Sequence, residues 1–155
     1  MPVASNQRSE TRDKRSVTRK QKPESRKKVL IVDDELDVRI YLRTLFETGG
    51  YAPTISKNGI EGLQKARELT PDLIVLDVMM PKTGGVNMYR ELKTDPLLKK
   101  IPVIMLTAIG KKSFSHYLKM LNIQRKDSIP PPDAYMEKPL DQKELLELAE
   151  KLTVF

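Results

Sequence analysis

The chain has 155 residues, a net charge of +7 and no cysteine. That length suits one domain with room for a real core, and the missing thiols exclude both a disulfide framework and a thiolate metal site. No apolar run approaches the roughly 20 residues of a membrane span, and the N-terminus lacks the apolar stretch of a secretory signal. A soluble cytoplasmic protein without a membrane partner is expected.

The charge is unevenly spread. Residues 1–27 hold nine Lys/Arg and three acids, a net of +6. Residues 28–155 hold nineteen basic and eighteen acidic residues, a net of +1. The only apolar residues in the first segment are Met1, Val3, Ala4 and Val17. It buries too little surface to offset the entropy of ordering, so residues 1–27 are expected to form a disordered basic tail. Weak contact with nucleic acid or an acidic partner through counterion release fits such a tail. It has no aromatic residue for base stacking.

From Val29 onward, short apolar runs alternate with helical periodicity, the pattern of βα units and a parallel sheet. VLIV (Val29–Val32) is the first strand and ends at Asp33-Asp34. Val38, Tyr41, Leu42, Leu45 and Phe46 make one helical stripe, closed by Gly49-Gly50. A strand over Ala52–Ser56 ends in nothing distinctive. Asn58, with Glu61 three residues on, predicts a capped helix whose Ile60, Leu63, Ala66 and Leu69 face inward. Pro71 ends that unit, and Leu73–Leu76 form a strand ending at Asp77. A helix then carries Val86, Tyr89 and Leu92.

Pro102 opens the strand Val103–Leu106, which ends at Thr107. Phe114, Tyr117, Leu118 and Leu121 predict a helix, and Pro130–Pro132 a loop. A strand over Ala134–Glu137 leads to Lys138-Pro139. The last helix has Asp141 as its N-cap and Leu145, Leu148, Ala149 and Leu152 on one face. His116, the single histidine, is expected on a helix surface, and Met80 is read as packing.

Ligands of an open parallel sheet bind at the carboxyl ends of its strands. Those ends carry Asp33-Asp34, Asp77, Thr107 and Lys138. Each acid alone is also what a solvated strand end shows; the conjunction carries the functional reading. If these edges adjoin, three carboxylates crowd together, at a cost of roughly 4 kcal/mol per pair for ~4 Å and an effective dielectric near 20. One lysine does not relieve that, and a hard divalent cation such as Mg2+ does. A cation, a lysine and a nucleophilic carboxylate suit phosphoryl transfer to Asp77, with Thr107 donating to a phosphoryl oxygen.

In these features the sequence resembles the receiver domains of bacterial two-component response regulators. The matching residues are Asp33-Asp34, Asp77 in LIVLDVMMP, Gly85, Thr107-Ala108, Tyr135 and Lys138-Pro139. The resemblance covers residues 28–155 and implies a doubly wound five-stranded parallel α/β fold, flavodoxin-like, with strand order 2-1-3-4-5. It implies Asp77 as phosphoacceptor and Mg2+ held by Asp34, Asp77 and the backbone carbonyl of Met79, with Asp33 close by. Thr107 and Lys138 would contact the phosphoryl group, and Tyr135 would be the aromatic switch that follows Thr107. The donor would be a sensor histidine kinase or a phosphotransfer protein, and the output a downstream protein target.

Two features depart from the family pattern. The segment from Thr107 to Lys138 is longer than usual, and Gly84-Gly85 replaces an acidic-Gly pair. Nothing after Phe155 is left for an output module, so a stand-alone receiver is expected. It would catalyse only its own phosphorylation and dephosphorylation. A receiver-like scaffold that never takes phosphate is one alternative. A Mg2+-dependent phosphatase with an aspartyl nucleophile is the other, disfavoured by Met79 where such enzymes carry a second acid. Met79 and Ile109, two residues past Asp77 and Thr107, are both apolar and cannot position an attacking water.

Overall fold

The runs Val29–Val32, Leu73–Leu76 and Val103–Leu106 carry apolar residues at every position, so a strand made from them must be covered on both faces. The computed structural model, which describes residues 25–80, 84–108, 110, 112–113, 115–116, 119 and 129–154, shows this arrangement. The strands are β1 (Lys28–Val32), β2 (Ala52–Ser56), β3 (Leu73–Asp77), β4 (Val103–Thr107) and β5 (Ala134–Glu137). They form one five-stranded sheet in the order β2-β1-β3-β4-β5, with every pair parallel. This is the doubly wound order expected above. The helices are α1 (Leu36–Thr48), α2 (Gly59–Leu69), α3 (Gly85–Thr94) and α4 (Gln142–Thr153).

Successive strand residues point to opposite faces, and each face has its own core. Leu30, Val32, Ile74, Leu76, Val103 and Met105 pack with Leu63 and Ala66 of α2 and Met88, Tyr89 and Leu92 of α3. Val29, Ile31, Leu73, Val75, Ile104 and Leu106 pack with Leu42, Leu45 and Phe46 of α1 and Leu145 and Ala149 of α4. Each fully buried Leu, Ile or Val stabilises the fold by about 1.5–3 kcal/mol.

The predicted caps form. The Asn58 side chain accepts from Glu61 N at 2.8 Å, and Asp141 accepts from Glu144 N at 3.0 Å. Glu61 returns its carboxylate to Lys57 N and Ser56 Oγ, both at 3.1 Å, instead of to its capping partner. One residue expected to face inward faces solvent. Ile60 is 74% exposed, because the face of α2 that meets the sheet is Gly59, Gly62, Leu63 and Ala66. A Cβ on Gly62 would stand 2.9 Å from both Met88 Sδ and Val32 Cγ2, so this glycine sets how closely α2 lies. On the stripe of α1, Tyr41 is exposed, at 38%.

Lys112, Ser113, Ser115, His116 and Lys119 are helical, and His116 is exposed as expected. The expected apolar stripe there, Phe114, Tyr117, Leu118 and Leu121, lies outside the described residues, as do residues 1–24 of the basic tail. Among the described residues no helix is long and apolar enough to cross a membrane.

The outer rim of β2 is guarded. Pro53 has no amide hydrogen to offer, and Lys65 Nζ donates to the Ile55 carbonyl at 2.7 Å. At the far side of the sheet, the approach to β5 is fastened at several points. Ile129 and Pro132 are buried. Asp133 clasps Val103 by two hydrogen bonds, Asp133 N to Val103 O at 3.1 Å and Val103 N to Asp133 Oδ2 at 2.8 Å. The hydroxyl of Tyr89, a fully buried residue of α3, donates to the Pro130 carbonyl at 2.8 Å. Burial pushes the Tyr89 hydroxyl well above its usual pKa, which keeps it a donor.

Tyr89→Phe leaves the Pro130 carbonyl without its donor and the ring in place. The variant is expected to lose about 1 kcal/mol of stability, read as a lower midpoint in urea with an unchanged slope. An unchanged midpoint would mean that the contact contributes nothing.

Candidate functional site at the carboxyl edge of the sheet

Backbone contacts beyond the strands bring their ends into line. Asp33 N donates to Ser56 O at 3.1 Å, Val78 N to Leu106 O at 3.1 Å and Lys138 N to Thr107 O at 2.9 Å. The residues that follow the strands therefore share one rim. The carboxylates of Asp33, Asp34 and Asp77 meet there, with one oxygen from each lying within 4.8 Å of the others. Asp33 and Asp77 are buried and Asp34 is exposed.

Lys138 enters this cluster from the end of β5. Its Nζ lies 3.4 Å from Asp33 Oδ2, 3.5 Å from Asp77 Oδ2 and 3.8 Å from Glu35 Oε1. Burial works against its charge, but Asp77, Asp33 and Glu35 outweigh that and hold its pKa above the ordinary lysine value. Burial also pushes the Asp33 carboxyl up from 3.8 to about 6. The Glu35 amide, donating to Asp33 Oδ1 at 2.9 Å, pulls the other way, the Asp77 charge adds to the rise, and Lys138 opposes it.

Asp77 is steadied from its own loop, where Met79 N donates to Asp77 Oδ1 at 3.0 Å. Its main chain is approached closely by the start of α3. A Cβ on Gly85 would collide with the Asp77 carbonyl oxygen and stand 2.8 Å from Val78 Cα, so only glycine fits. Gly84 stands at φ +49° before it, a backbone that glycine adopts freely. Where the resemblance leads one to expect an acid, the chain thus carries a residue suited to the turn. Thr107 is fully buried at the end of β4. Tyr135 pairs with Met105 on the neighbouring strand, two residues before Thr107, and packs half-buried against the core under α2 and α3.

Thus Asp33, Asp34, Asp77 and Lys138 come together, Thr107 ends the strand between β3 and β5, and Met79 adjoins Asp77. Ile109 lies outside the described residues. Three residues at the rim were not foreseen. Glu35 bonds Asp33 through its amide and faces Lys138 with its carboxylate. Arg39 Nη1 donates to the Asp33 carbonyl at 2.8 Å. Ser56, at the strand end judged undistinctive, is buried and accepts the Asp33 amide. Ser56 and Arg39 reach Asp33 through main-chain atoms, which no residue pattern announces.

Three carboxylates with no thiolate or imidazole among them form a hard oxygen donor set, which fits Mg2+ and not a soft metal.

The response regulator receiver domain is the family whose model matches residues 29–150. The polar-differentiation response regulator DivK of Brucella anthropi is 34% identical over 122 residues, which is 78% of this chain and 91% of DivK. Among solved structures, the signal receiver domain of a signal transduction histidine kinase from Syntrophus aciditrophicus superposes with a TM-score of 0.69. It is 29% identical and covers 82% of this chain and 89% of that one. The chemotaxis protein CheY4 of Vibrio cholerae gives a TM-score of 0.71 at 24% identity, over 83% of this chain and 99% of its own. At that identity CheY4 speaks for the fold alone.

The raised pKa of Asp33 links stability to pH when no divalent cation is present. The folded chain binds this proton more tightly than the unfolded chain, so the group favours folding below pH 4. That contribution is lost as pH rises through about 6. Asp33→Asn is therefore expected to be more stable than wild type at pH 8, by on the order of 2 kcal/mol. The gap should close towards pH 4, as read by urea unfolding in chelator across that range. A gap independent of pH would rule out the linkage.

Proposed function

Because this chain belongs to the response regulator receiver domain family of two-component systems, we propose that it is a phosphoacceptor signalling protein that takes a phosphoryl group on Asp77. The observation that carries the reading is the position of one ammonium, Lys138 Nζ, at 3.4 Å from Asp33 Oδ2 and 3.5 Å from Asp77 Oδ2 inside a three-acid cluster. The donor is a phosphohistidine on a sensor histidine kinase or phosphotransfer protein.

Asp34, Asp77 and the Met79 carbonyl would hold Mg2+, with Asp33 beside it. Bound there, the ion supplies positive charge to the crowded carboxylates and to the phosphoryl oxygens. The chain's own groups do the rest. An Asp77 oxygen attacks phosphorus, a P–O bond forms, the P–N bond breaks, and its electron pair stays on the donor imidazole. Met79 N holds Asp77 Oδ1, which orients the nucleophile. Lys138, already paired with Asp77 Oδ2, stays with the charge as it moves onto the phosphoryl oxygens. Thr107 donates its hydroxyl to one of them.

Phosphorylation replaces a singly charged carboxylate by a larger dianion, which is a local charge event with a packing readout. Thr107 is drawn towards the phosphoryl group, and Tyr135 follows into the space it leaves. The partner-binding face changes with them. In this reading the protein acts in the cytoplasm on a protein target and turns over no outside substrate. The nine basic residues among 1–27 offer an additional, salt-sensitive contact to an acidic partner.

Incubated with acetyl phosphate and Mg2+, the wild-type chain is expected to gain one phosphoryl group by intact mass, and Asp77→Asn none. Equal labelling of both would refute Asp77 as acceptor. The lifetime of the product is a separate matter. Met79 is apolar and 50% exposed beside Asp77, and cannot activate water. A Met79→Asn/Ile109→Glu variant should therefore lose the phosphoryl group about ten-fold faster, measured by mass after removal of the donor. An unchanged half-life would refute that role.

A further inference from the structure

We infer that Arg39 is the positioning residue of the acid pair: its guanidinium fixes the Asp33–Asp34 peptide so that Asp34 presents its carboxylate to the cluster. The inference deepens the metal-assisted phosphoacceptor reading above and rests on it.

Asp33 and Asp34 are held very differently. Asp33 is buried, its amide is bonded to Ser56 O, and its two carboxylate oxygens face Glu35 N and Lys138 Nζ. Asp34 is exposed, and its side chain makes no hydrogen bond or ion pair among the described residues. Its carboxylate is therefore directed by its own backbone. The carbonyl of Asp33 belongs to the same rigid peptide unit as the Asp34 amide. Arg39 Nη1 donates to that carbonyl at 2.8 Å. A bond from a charged donor is short and strong compared with a neutral one, and the planar guanidinium adds a fixed direction.

The placement of Arg39 makes this its main use. It stands in α1, with its own amide bonded to Glu35 O at 3.0 Å, so its base is tied to the loop that it steadies. The side chain is half-buried. Among the described residues it forms no ion pair, although three carboxylates stand in the adjoining site. The guanidinium is aimed at a main-chain oxygen. Two restraints thus bracket the turn after β1: Ser56 O holds the Asp33 amide, and Arg39 holds its carbonyl. Removal of the second lets the peptide plane rotate and carries Asp34 away from its neighbours. Partners that orient ligands in this way commonly shift metal affinity by about 10–100-fold.

The test uses the full chain with Arg39→Gln and Arg39→Lys. Mg2+ binding is read by isothermal titration calorimetry, and the Asp33 carbonyl-13C shift by NMR without cation. Labelling by acetyl phosphate is followed as a function of Mg2+. Arg39→Gln is expected to move the Asp33 carbonyl resonance, weaken Mg2+ binding about ten-fold, and recover wild-type labelling at saturating Mg2+. Arg39→Lys keeps the charge but not the fork, and should recover part of the affinity. An Arg39→Gln protein with wild-type affinity, or one whose labelling saturating Mg2+ does not recover, overturns the inference. A wild-type chain that binds no Mg2+ ends the underlying reading and this inference together. Binding by wild type that Arg39→Gln leaves untouched ends the inference alone.

Discussion

Like charges at one rim are the constraint around which this molecule is arranged. Asp33, Asp34 and Asp77 bring carboxylate oxygens within 4.8 Å of one another, two of them buried. Left alone, they would repel by several kcal/mol. A single ammonium, Lys138, answers two of the three directly at 3.4 and 3.5 Å and reaches Glu35 at 3.8 Å. One positive charge set against several negative ones leaves a deficit. In the proposed reading a hard cation makes up that deficit before a phosphoryl group arrives.

The sheet keeps the deficit from opening the structure. The acids stand at the ends of β1 and β3, whose residues before the rim, Lys28 apart, are buried. Their strands cannot part without exposing the two cores. Main-chain contacts extend the restraint past the last ladder bond, through Asp33 to Ser56, Val78 to Leu106 and Lys138 to Thr107. Gly85 lets α3 press against the Asp77 peptide. Electrostatic strain at the edge is thus borne by apolar packing in the middle. This is the usual way in which a functional site is kept in an otherwise unfavourable state.

The sequence disclosed whatever rests on side-chain type at a fixed place. Asp77 and Thr107 stand where uninterrupted apolar runs stop, and Asn58 and Asp141 stand where helical periodicity starts, so strand ends and caps could be read directly. What depends on backbone atoms could not. Ser56 and Arg39 serve Asp33 through an amide and a carbonyl, and any residue has those. Being apolar, Ile60 is expected inward, whereas the packed face of α2 is built partly from Gly59 and Gly62, which give no hydrophobic signal. Tyr89 is fully buried. Its hydroxyl contact joins it to Pro130, forty-one residues away, and no local pattern carries such a partnership.

That last contact bears on how the long segment before β5 is tolerated. Ile129 is seated in the core, Pro130 is held by Tyr89, and Asp133 is paired twice with Val103. The entry to β5 is thus tied to anchors that belong to α3 and β4. The entropic cost of closing a loop grows only slowly with its length, about 0.6 kcal/mol per doubling. A longer segment before Ile129 therefore costs little, while the lysine at the end of β5 keeps its address beside the aspartates.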